Sequence, residues 1–213
     1  MLLILINNFL KMRKVFLVLF VAALGIVSAN AQKYYVGGSV GFFSNSNKPE
    51  GAPSSSESGV SIIPEFGINL NEKLDLGISF GFSSLNQKET QAEKSSEFEV
   101  APYLRYSFAQ FGKFSVWGQA AVSFAAGTTE NTNSGVKNKY STFGLNIAPV
   151  LKYSLSDKFD LLANLNFFNV GFNSTSYKQD SNKLGTTSSF GIGADTYDVA
   201  RLGAITVGFV YKF

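Results

Sequence analysis

An alternation of apolar and polar residues with a period of two dominates this chain and recurs in eight places after residue 32. Successive side chains of an extended strand point to opposite faces, so each stretch would form one continuous apolar face. No charged residue occupies the apolar phase of any of these stretches. The pattern predicts an all-β chain of eight strands. The apolar phases lie within residues 34–42, 60–70, 74–82, 98–108, 114–124, 143–155, 159–167 and 205–213.

The opposite phase of the same stretches is polar, although Trp117 and three aliphatic residues also fall on it. A closed barrel of eight strands is narrow enough for its inward side chains to fill the lumen. Because a lone buried charge is costly, we expect inward charges to pair with one another or to contact trapped water. Arg105 and Lys152 should each contact a carboxylate, with Glu65 and Glu99 as the expected partners. Trp117 should pack in the lumen. The predicted lumen charge network consists of Glu65, Asp75, Glu97, Glu99, Arg105, Lys152, Asp160 and Lys212.

The connections between the stretches indicate which face of the barrel meets which solvent. Short turns at 71–73, around Gly112 and at 156–158 alternate with long polar segments such as 44–57 and 127–139. Outer-membrane barrels show this asymmetry, with tight periplasmic turns and long extracellular loops. An even number of strands then returns both termini to the periplasm. A soluble, lipocalin-like ligand-binding barrel remains an alternative, because alternation alone permits the apolar phase to face inward.

Aromatic residues lie near both ends of the predicted strands and flank a middle of Val, Ile, Leu and Ala. Such girdles are typical of a lipid-facing band, and a soluble barrel leaves them unexplained. Near the short turns they are Tyr34, Tyr106, Phe108, Phe114, Tyr153, Phe159, Tyr211 and Phe213. Near the long loops they are Phe42, Phe82, Phe98, Phe124, Phe143 and Phe167.

Three segments of similar design each contain a proline, an alternating strand, a short turn with lysine and a second strand. They begin at Pro64, Pro102 and Pro149 and predict repeated up-and-down hairpins. Proline lacks the amide hydrogen that a closed sheet uses, so we expect bulges or a locally opened ladder at these positions.

The first 31 residues are predicted to be a targeting segment and not part of the barrel domain, which would span residues 32–213. From Met12, the expected functional start, a basic beginning is followed by an apolar run of 13 residues and then by Ala29-Asn30-Ala31. This is the pattern of a signal peptide cleaved between Ala31 and Gln32, and the run is short for a retained anchor. The remainder of the chain carries equal numbers of acidic and basic residues, which argues against a nucleic-acid partner.

The start YYVGGSVGFF, the three hairpins and the end GFVYKF together resemble a known family. They are similar to the small eight-stranded outer-membrane barrels of Gram-negative bacteria, in the outer membrane protein beta-barrel domain or porin family group. The resemblance implies an eight-stranded antiparallel up-and-down transmembrane β-barrel in the bacterial outer membrane, with outer-membrane lipid as its surroundings. It also implies that Phe209, Tyr211 and Phe213 form a C-terminal signal for the barrel-assembly machinery.

Candidate chemistry is sparse. The chain has no cysteine and no histidine, so we predict no catalytic residue, no metal site and no cofactor. Ser134 and Lys137 match an S-x-x-K pair, but in a predicted loop where such short matches are common. A calcium site built from Asp180, Asp195 and Asp198 fits no ligand template.

Two functions remain for the predicted barrel. The first is a structural or surface-interaction protein whose extracellular loops bind a ligand or protein, since recognition usually lies on loops. The second is a narrow channel for ions or small solutes.

Overall fold

The computed structural model describes residues 33–47, 50, 55–88, 92–166, 168–179, 182–194 and 205–213. All of them lie in one unit, Lys33–Phe213. Among these residues no helix is long and apolar enough to cross a membrane. The strands are β1 Lys33–Asn47, β2 Ser55–Asn71, β3 Leu74–Lys88, β4 Glu93–Phe111, β5 Phe114–Asn131, β6 Lys137–Ser154, β7 Phe159–Leu165, β8 Phe168–Gln179, β9 Asn182–Ala194 and β10 Ile205–Lys212.

Eight of the strands form a closed antiparallel ring, which confirms the predicted barrel. Consecutive strands pair from β1 to β7, β10 pairs with β7, and the β1–β10 ladder closes the ring. The three short connections lie at the end of the barrel that also holds the termini. Strands β2 and β3 are joined there by two residues, as are β4 and β5, while β6 and β7 are joined by four.

Strands β8 and β9 continue the wall beyond β7 and β10, so one side of the barrel is built from two pieces. The part of β6 nearer the termini, residues 150–154, pairs with β7. The part farther from the termini, from Asn138 to Ile147, pairs with β8. Between the two ladders, the two β6 residues Ala148 and Pro149 lie opposite the five residues 165–169 of the neighbouring segment. Because of this insertion, the side chains that face outward have odd numbers in β7 and even numbers in β8. Strand β9 pairs with β8.

Each of the three prolines opens the ladder on one side of its strand. Pro64 pairs with Gly38 of β1, but the β2–β3 ladder is interrupted beside it. Pro102 likewise pairs with β3, and the β4–β5 ladder is interrupted. Pro149 pairs with β5 and stands where β6 changes its partner from β8 to β7. The missing amide hydrogen therefore faces the next strand in all three cases.

The outer wall is an apolar band between two rows of aromatic side chains. On β4, Phe98 and Phe108 lie ten residues apart, about 33 Å along the strand, which a tilt of about 40° reduces to about 25 Å. The apolar band of outer-membrane barrels is about 25 Å tall. Phe42 and Phe108 are among the most exposed side chains, as expected for residues that face lipid.

The long polar segments are mostly strands, where loops were predicted. The β1–β2 ladder continues to Asn47 and Ser55, and the β5–β6 ladder to Glu130 and Lys137. Alternation disappears there because both faces of a strand beyond the membrane meet water. The alternating stretch from Phe190 to Ala194 lies within the apolar band, because its register places it beside the β8 residues 168–172.

The core of the molecule lies inside the lumen. A cluster of buried apolar side chains occupies the half nearest the termini, and it consists of Tyr35, Trp117, Val150, Leu162 and Val210. Two inward tyrosines reach far across the lumen because each lies over a glycine of the neighbouring strand. A Cβ atom on Gly67 would collide with the Tyr35 ring, and one on Gly77 would collide with the Tyr103 ring. These glycines therefore set the direction of the tyrosines.

Candidate functional site in the barrel lumen

All eight charged residues of the predicted network lie on the inward phase, and they divide into two groups along the lumen. Six of them occupy the half nearest the termini, and we call them the ion-pair cluster. The other two, Glu97 and Glu99, lie on β4 toward the opposite opening. The ion-pair cluster consists of Glu65, Asp75, Arg105, Lys152, Asp160 and Lys212, three acids and three bases.

Arg105 and Glu65 form the most buried ion pair. Arg105 Nη2 lies 2.6 Å from Glu65 Oε2 and Nη1 lies 3.1 Å from Oε1, so the contact is bidentate. The guanidinium also donates from Nε to Gln119 Oε1 at 2.6 Å. Both residues are almost completely buried. A bidentate, charge-assisted contact of this kind is among the strongest hydrogen bonds in proteins.

Two tyrosines extend this pair across the lumen. The Tyr103 hydroxyl donates to Glu65 Oε2 at 3.1 Å and lies 2.9 Å from the Tyr35 hydroxyl. The Arg105 guanidinium carbon stands 4.3 Å from the centre of the Tyr103 ring. Tyr35 comes from β1 and Tyr103 from β4, so their contact connects strands that are not neighbours in the wall.

The other four members of the cluster form a chain of alternating charge. Lys152 Nζ donates to Asp75 Oδ2 at 3.1 Å and lies 3.9 Å from Asp160 Oδ2. Lys212 Nζ donates to Asp160 Oδ1 at 3.1 Å. Lys152 Nζ also stands 3.8 Å from the centre of the Trp117 ring. Because Asp75 is on β3 and Lys152 on β6, this contact too crosses the lumen.

Register explains why these side chains meet. Asp75 pairs with Arg105 in the β3–β4 ladder, and Arg105 pairs with Gln119 in the β4–β5 ladder. Paired residues point to the same face of the sheet, so Asp75, Arg105 and Gln119 form one inward row. This row places Arg105, which pairs with Glu65, beside Asp75, which pairs with Lys152. Every member of the ion-pair cluster therefore has a partner of opposite sign, which buried ions require.

A cavity of about 470 Å³, lined mainly by polar and charged residues, lies in the other half of the lumen, and we call it the vestibule. It opens away from the termini. Its lining comes from β2, β3, β4 and β6 and includes Glu57, Ser61, Glu97, Glu99 and Tyr140. No lysine or arginine of the described chain is part of that lining.

Glu97 and Glu99 lie beside neutral side chains. Tyr140 is the polar neighbour of Glu97, and Ser123 is the polar neighbour of Glu99. Glu99 was expected to contact Arg105 or Lys152, and in the structure it does not. Arg105 lies six positions further along β4, about 20 Å along the strand.

The other predicted site residues are placed as follows. Phe209, Tyr211 and Phe213 all point outward at the terminal end, and Phe159 joins them. The rings of Phe159 and Tyr211 are 5.2 Å apart, and those of Tyr211 and Phe213 are 5.3 Å apart.

Trp117 packs in the lumen, and its indole nitrogen donates to Ser115 Oγ at 2.7 Å. Ala31, Gln32 and the three aspartates considered for calcium lie outside the described residues.

Ser134 and Lys137, the S-x-x-K match, have separate partners. The Ser134 hydroxyl donates to Asn131 Oδ1 at 3.1 Å, and Lys137 forms an exposed ion pair with Glu130 at 3.2 Å. No group of three or more acidic residues in the described parts of the chain is arranged to hold a metal ion.

Sequence reasoning missed Glu57 and Tyr140 as lumen residues, whereas the period-two pattern places Ser61 on the inward phase of its stretch. Glu57 and Tyr140 lie in strand extensions, where the apolar phase that would have indicated direction fades.

Comparison with known proteins gives one family and several similar folds. A model of the outer membrane protein beta-barrel domain matches residues 15–213. No protein with a curated description matches the chain. Among solved structures, Neisserial surface protein A is similar at 13% identity, with a TM-score of 0.45, over 86% of this chain and 100% of its own.

Two further solved structures are similar over most of this chain. A major outer membrane protein from Thermus thermophilus is 15% identical, with a TM-score of 0.44, over 86% of this chain and 100% of its own. The attachment invasion locus protein Ail of Yersinia pestis is 9% identical, with a TM-score of 0.38, over 87% of this chain and 100% of its own.

Proposed function

The chain belongs to the outer membrane protein beta-barrel domain family, and from that premise we propose that it is a closed outer-membrane barrel that acts as a structural or surface-interaction protein. Lipid surrounds its wall. The lumen does not conduct, and the strand extensions on the side away from the termini carry the recognition surface. No catalytic activity is part of the proposal.

The ion-pair cluster is the observation that carries this proposal. The contacts Tyr35–Tyr103 and Asp75–Lys152 both cross the lumen, and the bidentate pair of Arg105 and Glu65 lies between them. To pass through the lumen, a solute would have to separate buried ions of opposite sign. Each ion left without its partner would cost several kcal/mol of free energy. The barrel half nearest the termini is therefore a plug.

The strand extensions support a role in surface interaction. Beyond the row of Phe98 and Phe124, the β4–β5 ladder continues to the pair of Glu93 and Asn131. The turn that follows is held by Asn131 Oδ1, which accepts from the backbone amides of Asn133 and Ser134 at 3.1 and 3.0 Å. A rigid, polar projection of this kind suits recognition by its edges and tip.

Single-channel recording in planar bilayers tests the proposal. The wild-type barrel should show little steady conductance. Lys152→Ala should introduce brief openings, because it removes the side chain that connects β6 to Asp75 and covers Trp117. Lys137→Ala, which removes an exposed lysine outside the lumen, is the matched control and should behave as wild type. Large, steady wild-type currents that Lys152→Ala leaves unchanged would overturn the plug and favour a narrow channel for ions or small solutes.

A further inference from the structure

The vestibule carries an unbalanced negative charge. Glu57, Glu97 and Glu99 line it, and no described lysine or arginine forms an ion pair with any of them. Gln87 Nε2 donates to Glu57 Oε1 at 2.8 Å, and the polar neighbours of Glu97 and Glu99 are the neutral side chains of Tyr140 and Ser123. The ion-pair cluster beneath is neutral in total, so it does not offset this charge. A cavity walled by protein and lined by one sign of charge concentrates counter-ions.

A hydroxyl without a partner also points to a ligand in the vestibule. Ser61 is only 5% exposed, and its Oγ atom has no hydrogen-bond partner among the described residues. Ser61 lines the same cavity as the three carboxylates. A buried polar atom in a native protein usually has a partner, so this one marks a place where a bound group would complete the hydrogen bonding.

Register places Ser61 in one row with the central carboxylate, and the Ser61 Oγ atom lies on the side of Gly41 in β1. Ser61 pairs with Ser83, and Ser83 pairs with Glu97. On the other side of Glu97, Gly127 provides room for Tyr140, whose ring would collide with a Cβ atom at that glycine. Tyr140 thereby extends over Gly127 toward Glu97.

The spacing of the carboxylates selects an elongated ligand over a metal ion. Glu99 lies two residues, about 7 Å, below Glu97, and Glu57 lies four residues, about 13 Å, above the row of Ser61. The charges are thus spread over about 15 Å of the barrel axis at a tilt of about 40°. A divalent cation needs several oxygens around one point, and the described residues offer no such group.

We propose that the vestibule binds an aliphatic polyamine along the barrel axis. Its ammonium groups would donate to Glu57, Glu97 and Glu99, and Ser61 Oγ would accept a further N–H. Methylene segments would lie against the side chains of Ile63 and Leu85, which are part of the same lining. The ion-pair cluster closes the cavity below, so the ligand is held and not passed.

Isothermal titration calorimetry of the refolded full barrel with spermine tests this inference. At low ionic strength, spermine should bind, and the double variant E97Q/E99Q should bind at least about tenfold more weakly, since two charge-assisted hydrogen bonds are lost. Glu130→Gln removes a carboxylate that contacts Lys137 outside the vestibule and should leave binding unchanged. Ser61→Ala should weaken binding about fivefold. Boiled and unboiled gel mobility confirms that each variant is folded, and Glu57→Gln replaces the double variant if that one fails to fold.

Two outcomes would overturn the proposal. One is equal affinity of wild type and the carboxylate variants, which would mean that spermine binds elsewhere. The other is displacement of spermine by an equal concentration of Mg²⁺, which would mean that spermine is held only by nonspecific attraction to the negative charge of the vestibule. The conduction test is separate from the binding test, because a conducting barrel that bound spermine would refute the plug and the retention of the ligand but would leave binding in the vestibule intact.

Discussion

At the scale of single residues, substitution of Arg105, the partner of Glu65, tests most directly how much the ion-pair cluster stabilises the barrel. Arg105→Ala would leave the Glu65 carboxylate buried with only the Tyr103 hydroxyl as a donor. Removal of one partner of a buried ion pair costs about 3 to 5 kcal/mol. The free energy of unfolding of Arg105→Ala, measured from urea transitions of the refolded barrel, should fall by that amount.

The control for this prediction is the exposed ion pair of Lys137 and Glu130. Lys137→Ala should change the free energy of unfolding by less than about 1 kcal/mol, because water screens both charges. The double variant R105A/E65Q should recover part of the loss, since no uncompensated charge is left. Equal unfolding midpoints for Arg105→Ala and Lys137→Ala would show that the buried pair adds no stability.

The direction of these side chains could be predicted from the sequence, but their partners could not. A period of two assigns Glu65, Arg105 and Lys152 to the inner face without any knowledge of neighbours. Which inward residues meet depends on the offset between strands, and a single sequence does not contain that offset. For this reason Glu99 was wrongly expected to contact a basic residue, and Asp75 and Asp160 take that place beside Lys152.

At the scale of elements, substitutions at the end of the C-terminal strand β10 can distinguish a role in assembly from a role in stability. Its backbone is held on both sides, since the Lys212 amide donates to Lys158 O at 2.8 Å and the Phe213 amide to Tyr34 O at 2.9 Å. The Phe213 side chain is mostly exposed and has a ring contact with Tyr211. Phe213→Ser should therefore alter the unfolding of the refolded barrel only slightly.

Assembly in cells should respond differently to the same substitution. If the terminal aromatics are the signal for the barrel-assembly machinery, Phe213→Ser should lower the yield of heat-modifiable barrel in the outer membrane severalfold. Ser134→Ala, at an exposed turn, is the control and should assemble normally. Similar yields of the two variants would contradict a signal at Phe213.

Elements inside the membrane could be predicted from the sequence far better than those beyond it. Between the aromatic rows, lipid outside and charge inside impose opposite residue types on the two faces. The β8–β9 hairpin lacks this contrast over most of its length, with pairs such as Ser174–Ser188 and Thr175–Thr187. Its apolar start, at Phe168 and Val170, follows a phase shift beside Pro149 that no periodic template contains.

At the scale of the whole molecule, the two ends of the barrel differ in a way that suits an asymmetric membrane. One end has short turns, both termini and the neutral ion-pair cluster. The other has long polar strands, ordered turns and the acidic vestibule. An exported barrel inserted from the periplasm must carry the bulky polar end across the bilayer, and outer-membrane barrels place their longer connections outside. We therefore expect the vestibule to face the medium and the termini to face the periplasm.

Single-cysteine labelling on intact cells measures this orientation directly, because the chain contains no cysteine of its own. Asn133→Cys, in the exposed turn between β5 and β6, should react with a membrane-impermeant maleimide added to intact cells. Asp157→Cys, in the exposed turn between β6 and β7 at the other end, should react only after the outer membrane is permeabilised. The opposite order of labelling would place the termini outside, and the vestibule would then open to the periplasm and take its ligand from there.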